Sequence, residues 1–220
     1  MAQTTIRQRL AACGAAVALA VTAASFAAPT TAAAANANLT YGSIILLQNQ
    51  YQGDGGYLDT NGRSGQPGAV YNVSTNQAPN SRGHKTSEWK VVSATGKANG
   101  TNVVSGDVVF LVNQYGNGTY LDTNGVENRQ GAKYGVSTTD LPDRGPGTSK
   151  WHIFDKTSDP RDGLVRLHDV VHLLNDYASA DGGFLDTNGA SAQSGAKFAV
   201  STSYYTDRGP GTGSWKVLPG

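Results

Sequence analysis

The pentapeptide Leu-Asp-Thr-Asn-Gly occurs three times, at Leu58–Gly62, Leu121–Gly125 and Leu185–Gly189, at intervals of 63 and 64 residues. Recurrence at one spacing means that the chain is built from three copies of one supersecondary unit. Each copy follows an aromatic residue, Tyr57, Tyr120 or Phe184. Aromatic-Leu-Asp-Thr followed by Asn-Gly predicts a short strand that enters a type I′ turn, because Asn and Gly accept positive φ at little steric cost.

The repeat can be written out in full. A first strand reads Ser43 to Tyr51, Asp107 to Tyr115 and Asp169 to Tyr177, rich in Val, Ile, Leu and Phe. These are strand-length β-branched and aromatic runs. The second strand carries the pentapeptide. A third alternates as Val70 to Thr75, Lys133 to Thr138 and Lys197 to Thr202, and a fourth opens on Trp89, Trp151 or Trp215. Four strands in each of three units give about twelve, and no helical period follows the first 37 residues. The chain is therefore predicted to be all-β.

Those first residues read as a signal peptide over 1–37. Arg7 and Arg9 form a basic start, Leu10 to Ala28 is uncharged and apolar, and Ala35-Asn36-Ala37 is a small-x-small cleavage site. Secretion is the resulting expectation, with a mature domain over 38–220. The one cysteine, Cys13, lies in this leader, so the mature chain has neither disulfides nor thiol chemistry. Removing two of 17 basic residues leaves 15 against 16 acidic ones, with no basic run. Nucleic acid and anionic membrane are poor partners for such a chain, and no spanning segment follows the leader.

Three four-stranded units in under 200 residues need a closed architecture, since closure removes aggregation-prone edge strands. A β-trefoil fits, with repeats at about 41–104, 105–166 and 167–220. The order Gly-Asp-Val-x-x-Leu, Tyr-Leu-Asp-Thr, Val-Ser-Thr and a tryptophan strand resembles the ricin-B-type lectins and the related MIR domains over Ser43 to Leu218. That resemblance implies a sugar-binding carboxylate at Asp59, Asp122 and Asp186. An ionised carboxylate is an acceptor with several lone pairs and suits sugar hydroxyls. The alternative is that each Asp binds the backbone of its own turn. The resemblance breaks at Ser74, Ser137 and Ser201, where the lectins have an aromatic platform. It breaks again at Thr86-Ser87, Thr148-Ser149 and Thr212-Gly213, where they have Asn-Gln. Stacking on a sugar face then falls to Tyr51, Tyr115 and Tyr177 or to Tyr204-Tyr205.

An arginine stands seven residues before each tryptophan: Arg82, Arg144 and Arg208. In units two and three it belongs to Asp-Arg-Gly-Pro-Gly-Thr, at Asp143–Thr148 and Asp207–Thr212, whereas unit one has Ser81-Arg82-Gly83-His84-Lys85-Thr86. A guanidinium fork can grip a ligand or pin a glycine-rich loop. Lys133 and Lys197 recur, with Val70 in unit one. If these groups bind a ligand, units two and three are intact and unit one is altered.

His168-Asp-Val-Val-His172 imitates a zinc-hydrolase signature, but that signature works on a helix. On a strand i and i+4 lie about 13 Å apart. No catalytic set, metal or cofactor is expected. The sequence supports a secreted, non-catalytic carbohydrate-binding protein with a glycan or glycoconjugate as partner. The alternative is an interaction subunit or inhibitor that presents an asymmetric loop to a protein.

Overall fold

The computed structural model describes residues 37–220; the leader expected over 1–37, Ala37 apart, lies outside them, as does Cys13. Twelve strands follow in chain order. Unit one contributes β1 (Ile44–Asn49), β2 (Gly56–Arg63), β3 (Tyr71–Asn76) and β4 (Trp89–Ser93). Unit two contributes β5 (Val108–Asn113), β6 (Thr119–Val126), β7 (Ala132–Thr139) and β8 (Trp151–Asp155). Unit three contributes β9 (Val170–Asn175), β10 (Gly183–Ala190), β11 (Ala196–Ser203) and β12 (Trp215–Pro219).

The first and fourth strands of all units pair antiparallel in the cycle β1, β4, β5, β8, β9, β12 and back to β1. Six strands thus close on themselves. The hairpins β2–β3, β6–β7 and β10–β11 cover one end, where β3, β7 and β11 also pair with one another. At the other end a cycle of backbone hydrogen bonds runs from Leu39 N–H to Val165, Val165 N–H to Val103, and Val103 N–H to Leu39, at 2.8–3.0 Å. Alternate pairings around the barrel (β4–β5, β8–β9 and β12–β1) and the contacts at both of its ends therefore join different units.

The core is threefold in composition. Trp89, Trp151 and Trp215 are fully buried, and each indole Nε1–H donates to the carbonyl of its unit's pentapeptide leucine (Leu58, Leu121 or Leu185) at 2.9–3.0 Å. One contact thus buries a large apolar surface and satisfies its polar atom.

Two expectations need correction. The Asn-Gly pairs do not form the hairpin turn. The strand continues through them with a register shift, and Gly62, Gly125 and Gly189 hold the positive φ (62–68°) of a β-bulge. The turn itself comes later, closed in unit one by Ser64 N–H to the Val70 carbonyl at 3.0 Å. The first strands also end before the expected tyrosines. The side chain of Asn49, Asn113 or Asn175 accepts the tyrosine N–H two residues on, at 3.1–3.2 Å, and so diverts the backbone from the ladder. Single-turn segments follow at Tyr51–Gly53 and Tyr177–Ala180, the second with Ala178, Ser179 and Ala180 at positive φ.

Candidate functional site

Each pentapeptide residue has a structural partner. Leucine fills the core. Aspartate is buried without exposed surface at Asp59, Asp122 and Asp186, and each meets the arginine of its own unit. Arg82 Nε lies 2.8 Å from Asp59, Arg144 Nη2 2.9 Å from Asp122, and Arg208 Nε 2.5 Å from Asp186. Threonine hydroxyls cross to the next unit, where Thr60, Thr123 and Thr187 donate to Asn113, Asn175 and Asn49 at 3.1–3.4 Å. Asn61, Asn124 and Asn188 reach Ser74, Ser137 and Ser201 at 3.3–3.4 Å. The carboxylates that the lectin resemblance assigns to sugar are therefore enclosed beneath arginines and do not reach solvent.

The second oxygen of these carboxylates separates the units. Ser87 and Ser149 donate to Asp59 and Asp122 at 3.3 and 2.9 Å. Unit three has Gly213 at this position, and Asp186 Oδ1 has no hydrogen-bond partner among the described residues. Burial pushes the Asp186 pKa above the ordinary carboxylate value, outweighing the pull of Arg208.

The repeated arginines and lysines also bridge units. Arg82 donates to the Ser194 carbonyl, Arg208 to that of Gln130, and the Arg144 side chain passes over Gly68. Lys133 pairs with Asp181 at 2.6 Å and Lys197 with Asp54 at 3.0 Å, each also donating to that residue's carbonyl. The Gly-Pro-Gly segments fit the same pattern. A Cβ on Gly147 would lie 2.6 Å from the Asp176 carbonyl oxygen, and one on Gly211 2.4 Å from that of Gln50. The recurrence of Asp-Arg-Gly-Pro-Gly-Thr, which suggested ligand contacts from sequence, is thus accounted for by the packing of one unit against the next.

A cleft open to solvent stands at each of the three seams, of about 370, 430 and 490 Å³. The first lies between units one and two and holds Arg82, Tyr71 and Tyr115; the second holds Arg144, Tyr134 and Tyr177; the third holds Arg208, Phe198 and Tyr51. In each, two rings from adjacent units meet edge to face with centroids 5.4 Å apart. Tyr115 and Tyr177 therefore stand in clefts with the arginines, while Lys133 and Lys197 act as ties between units. Sequence reasoning passed over Tyr71, Tyr134 and Phe198. Their signal was present, since an aromatic residue recurs at that position of every third strand.

Among the described residues no helix is long and apolar enough to cross a membrane. No protein-family model matches the chain, and no curated protein sequence matches it. Solved structures share its fold. An SDF2-like protein from Arabidopsis thaliana aligns at a TM-score of 0.64 and 18% identity, over 82% of this chain and 94% of that one. A Caenorhabditis elegans protein of unknown function aligns at 0.63 and 16%, over 83% and 96%. The S. cerevisiae protein O-mannosyltransferase Pmt1-Pmt2 complex bound to the sugar donor aligns at 0.62 and 18%, over 84% of this chain but 25% of that one. At such identities the likeness is one of fold.

Proposed function

We propose that this protein is a secreted, non-catalytic carbohydrate-binding β-trefoil whose sites are the three seam clefts. The observation that carries this reading is the recurrence of one surface arrangement, an edge-to-face aromatic pair beside an arginine and a glycine turn, at all three seams. Core packing accounts for the tryptophans and leucines; it does not require aromatic rings at partly open positions three times over. Aromatic faces suit the C–H surface of a pyranose, and guanidinium and turn N–H groups suit its hydroxyls. The buried aspartates orient the arginines. The fold likeness to the SDF2-like protein and to part of the mannosyltransferase complex supports the trefoil reading.

A glycan array tests it. The purified protein retains saccharides, and Tyr51→Ala, Tyr115→Ala and Tyr177→Ala each weaken retention on a multivalent surface far more than binding of a free monosaccharide, because linked weak sites add through effective concentration. Loss of the fold is checked by melting each variant.

One feature favours a protein partner instead. Tyr204 and Tyr205 are 64% and 67% exposed in a loop that breaks the threefold pattern. Under that reading Tyr204→Ala with Tyr205→Ala removes binding while the seam variants keep it.

A further inference from the structure

The three seams differ in charge. At the second, Lys133 pairs with Asp181, Lys150 with Asp143, and His152 lies 2.8 Å from Asp176. At the third, Lys197 pairs with Asp54 and Lys156 with Asp207. Each of these basic side chains has a carboxylate beside it.

The first seam is built otherwise. Val70 stands where units two and three have lysine, and the loop after Tyr115 is Gly-Asn-Gly, without an aspartate. The last position of the second strand, Val126 and Ala190 elsewhere, is Arg63, and the position of Gly147 and Gly211 is Lys85. Arg63 is exposed, lines the first cleft, and lies with Cζ 5.4 Å from the centroid of Tyr71, which meets Tyr115. Neither Arg63 nor Lys85 has an acidic partner among the described residues. The nearby acids are engaged: Asp59 lies buried under Arg82, and Glu88 accepts from Asn80 Nδ2 at 2.9 Å.

We infer that the first seam cleft recognises the anionic substituent of an acidic saccharide, a ring carboxylate or sulfate, through the unpaired guanidinium of Arg63 beside Tyr71 and Tyr115. This rests on the reading of the clefts as saccharide sites. A guanidinium held near an aromatic ring presents a planar fork of donors that matches a carboxylate bidentately. With no lysine–aspartate tie at this seam, no carboxylate from such a tie stands near Arg63 to compete for its guanidinium. Unit one, which looks degraded in sequence because its polar repeat is altered, becomes the discriminating unit.

The test uses the purified protein with oligogalacturonate and its methyl ester, which share a backbone and differ in charge, on an array that also carries neutral and sulfated saccharides. Wild type binds the acid at least about tenfold more tightly than the ester, the scale of one charge-assisted hydrogen bond, and the difference shrinks with added salt. Arg63→Gln removes the difference but keeps neutral binding. Arg63→Lys keeps part of it, and Tyr177→Ala, at another seam, leaves it intact. Equal binding of acid and ester by wild type, with no preference for sulfated over neutral saccharides, overturns the inference while saccharide binding stands. So does an acid preference that survives Arg63→Gln. Retention of neither neutral nor acidic saccharides overturns the carbohydrate reading and the inference together.

Discussion

Arg144 grips the buried carboxylate of Asp122 with two nitrogens, Nε at 3.1 Å and Nη2 at 2.9 Å, while Ser149 donates to the opposite oxygen at 2.9 Å. The carboxylate has no surface of its own in water. Removing one partner of such a pair strands the other charge, and the arginine's partial exposure softens that cost. Asp122→Ala should therefore lower stability by about 2–4 kcal/mol in denaturant melts. A change near zero would return Asp122 to the role of a ligand group that the fold does not need.

Asp186 should behave differently. Its Oδ1 has no partner among the described residues, its pKa is raised by burial, and Gly213 replaces the serine. Asp186→Asn should cost less than Asp122→Asn, since it removes a charge that burial already disfavours. A larger loss would show that the Arg208 pair outweighs desolvation. Gly213→Ser is no rescue, because a Cβ there would lie 1.9 Å from the Thr206 carbonyl oxygen.

Gly147→Ala should be damaging for two reasons that combine. The residue has φ of +83°, and the new Cβ would press on the backbone of Asp176 and Tyr177. Strain of about 1–3 kcal/mol follows from the dihedral alone. Because Tyr177 belongs to the second cleft, the proposed saccharide binding should weaken at that seam, and a variant that melts like wild type would contradict the close approach.

The acid limb of stability should have two parts. At Asp107 burial acts to raise the pKa, but hydrogen bonds from Lys97, Val104 N–H and Tyr41 outweigh it and the net shift is downward. At Asp207 burial is likewise outweighed, by Lys156, Ser214 and Gly213 N–H. A lowered folded pKa stabilises above the ordinary value of about 3.9 and is lost as pH falls through the folded pKa. Asp186 has the opposite sign. Its ionised form costs stability above its raised pKa, and acidification toward about 3.9 relieves that cost. Denaturant melts at stepped pH should show Asp107→Asn shrinking the loss below about 3.9, and Asp186→Asn removing the relief above it. Unchanged profiles in both would contradict the signs.

The strands, the repeat and the buried tryptophans were legible because hydrophobic alternation and recurrence report burial directly. The turn was misplaced because Asn-Gly supplies positive φ to a bulge as readily as to a hairpin. The candidate site was harder to see. Asp59 and Arg82 are 23 residues apart, and nothing in their spacing reveals that one encloses the other. Tyr71 meets Tyr115, and Tyr134 meets Tyr177, only where units join. A seam is a property of neighbouring repeats, so a comparison of each repeat with itself passes over it.

The hydrogen-bond cycle through Leu39, Val103 and Val165 lies at the barrel end away from the hairpins, and there Gly220 N–H donates to the Ile44 carbonyl at 3.1 Å. Asn38, bridged to Arg166, and Gly220 therefore both lie at the base of the barrel. A bead, a fluorophore or a second protein joined at Gly220 would sit at the base of the barrel, with the three seams turned outward like the spokes of a wheel whose hub is anchored.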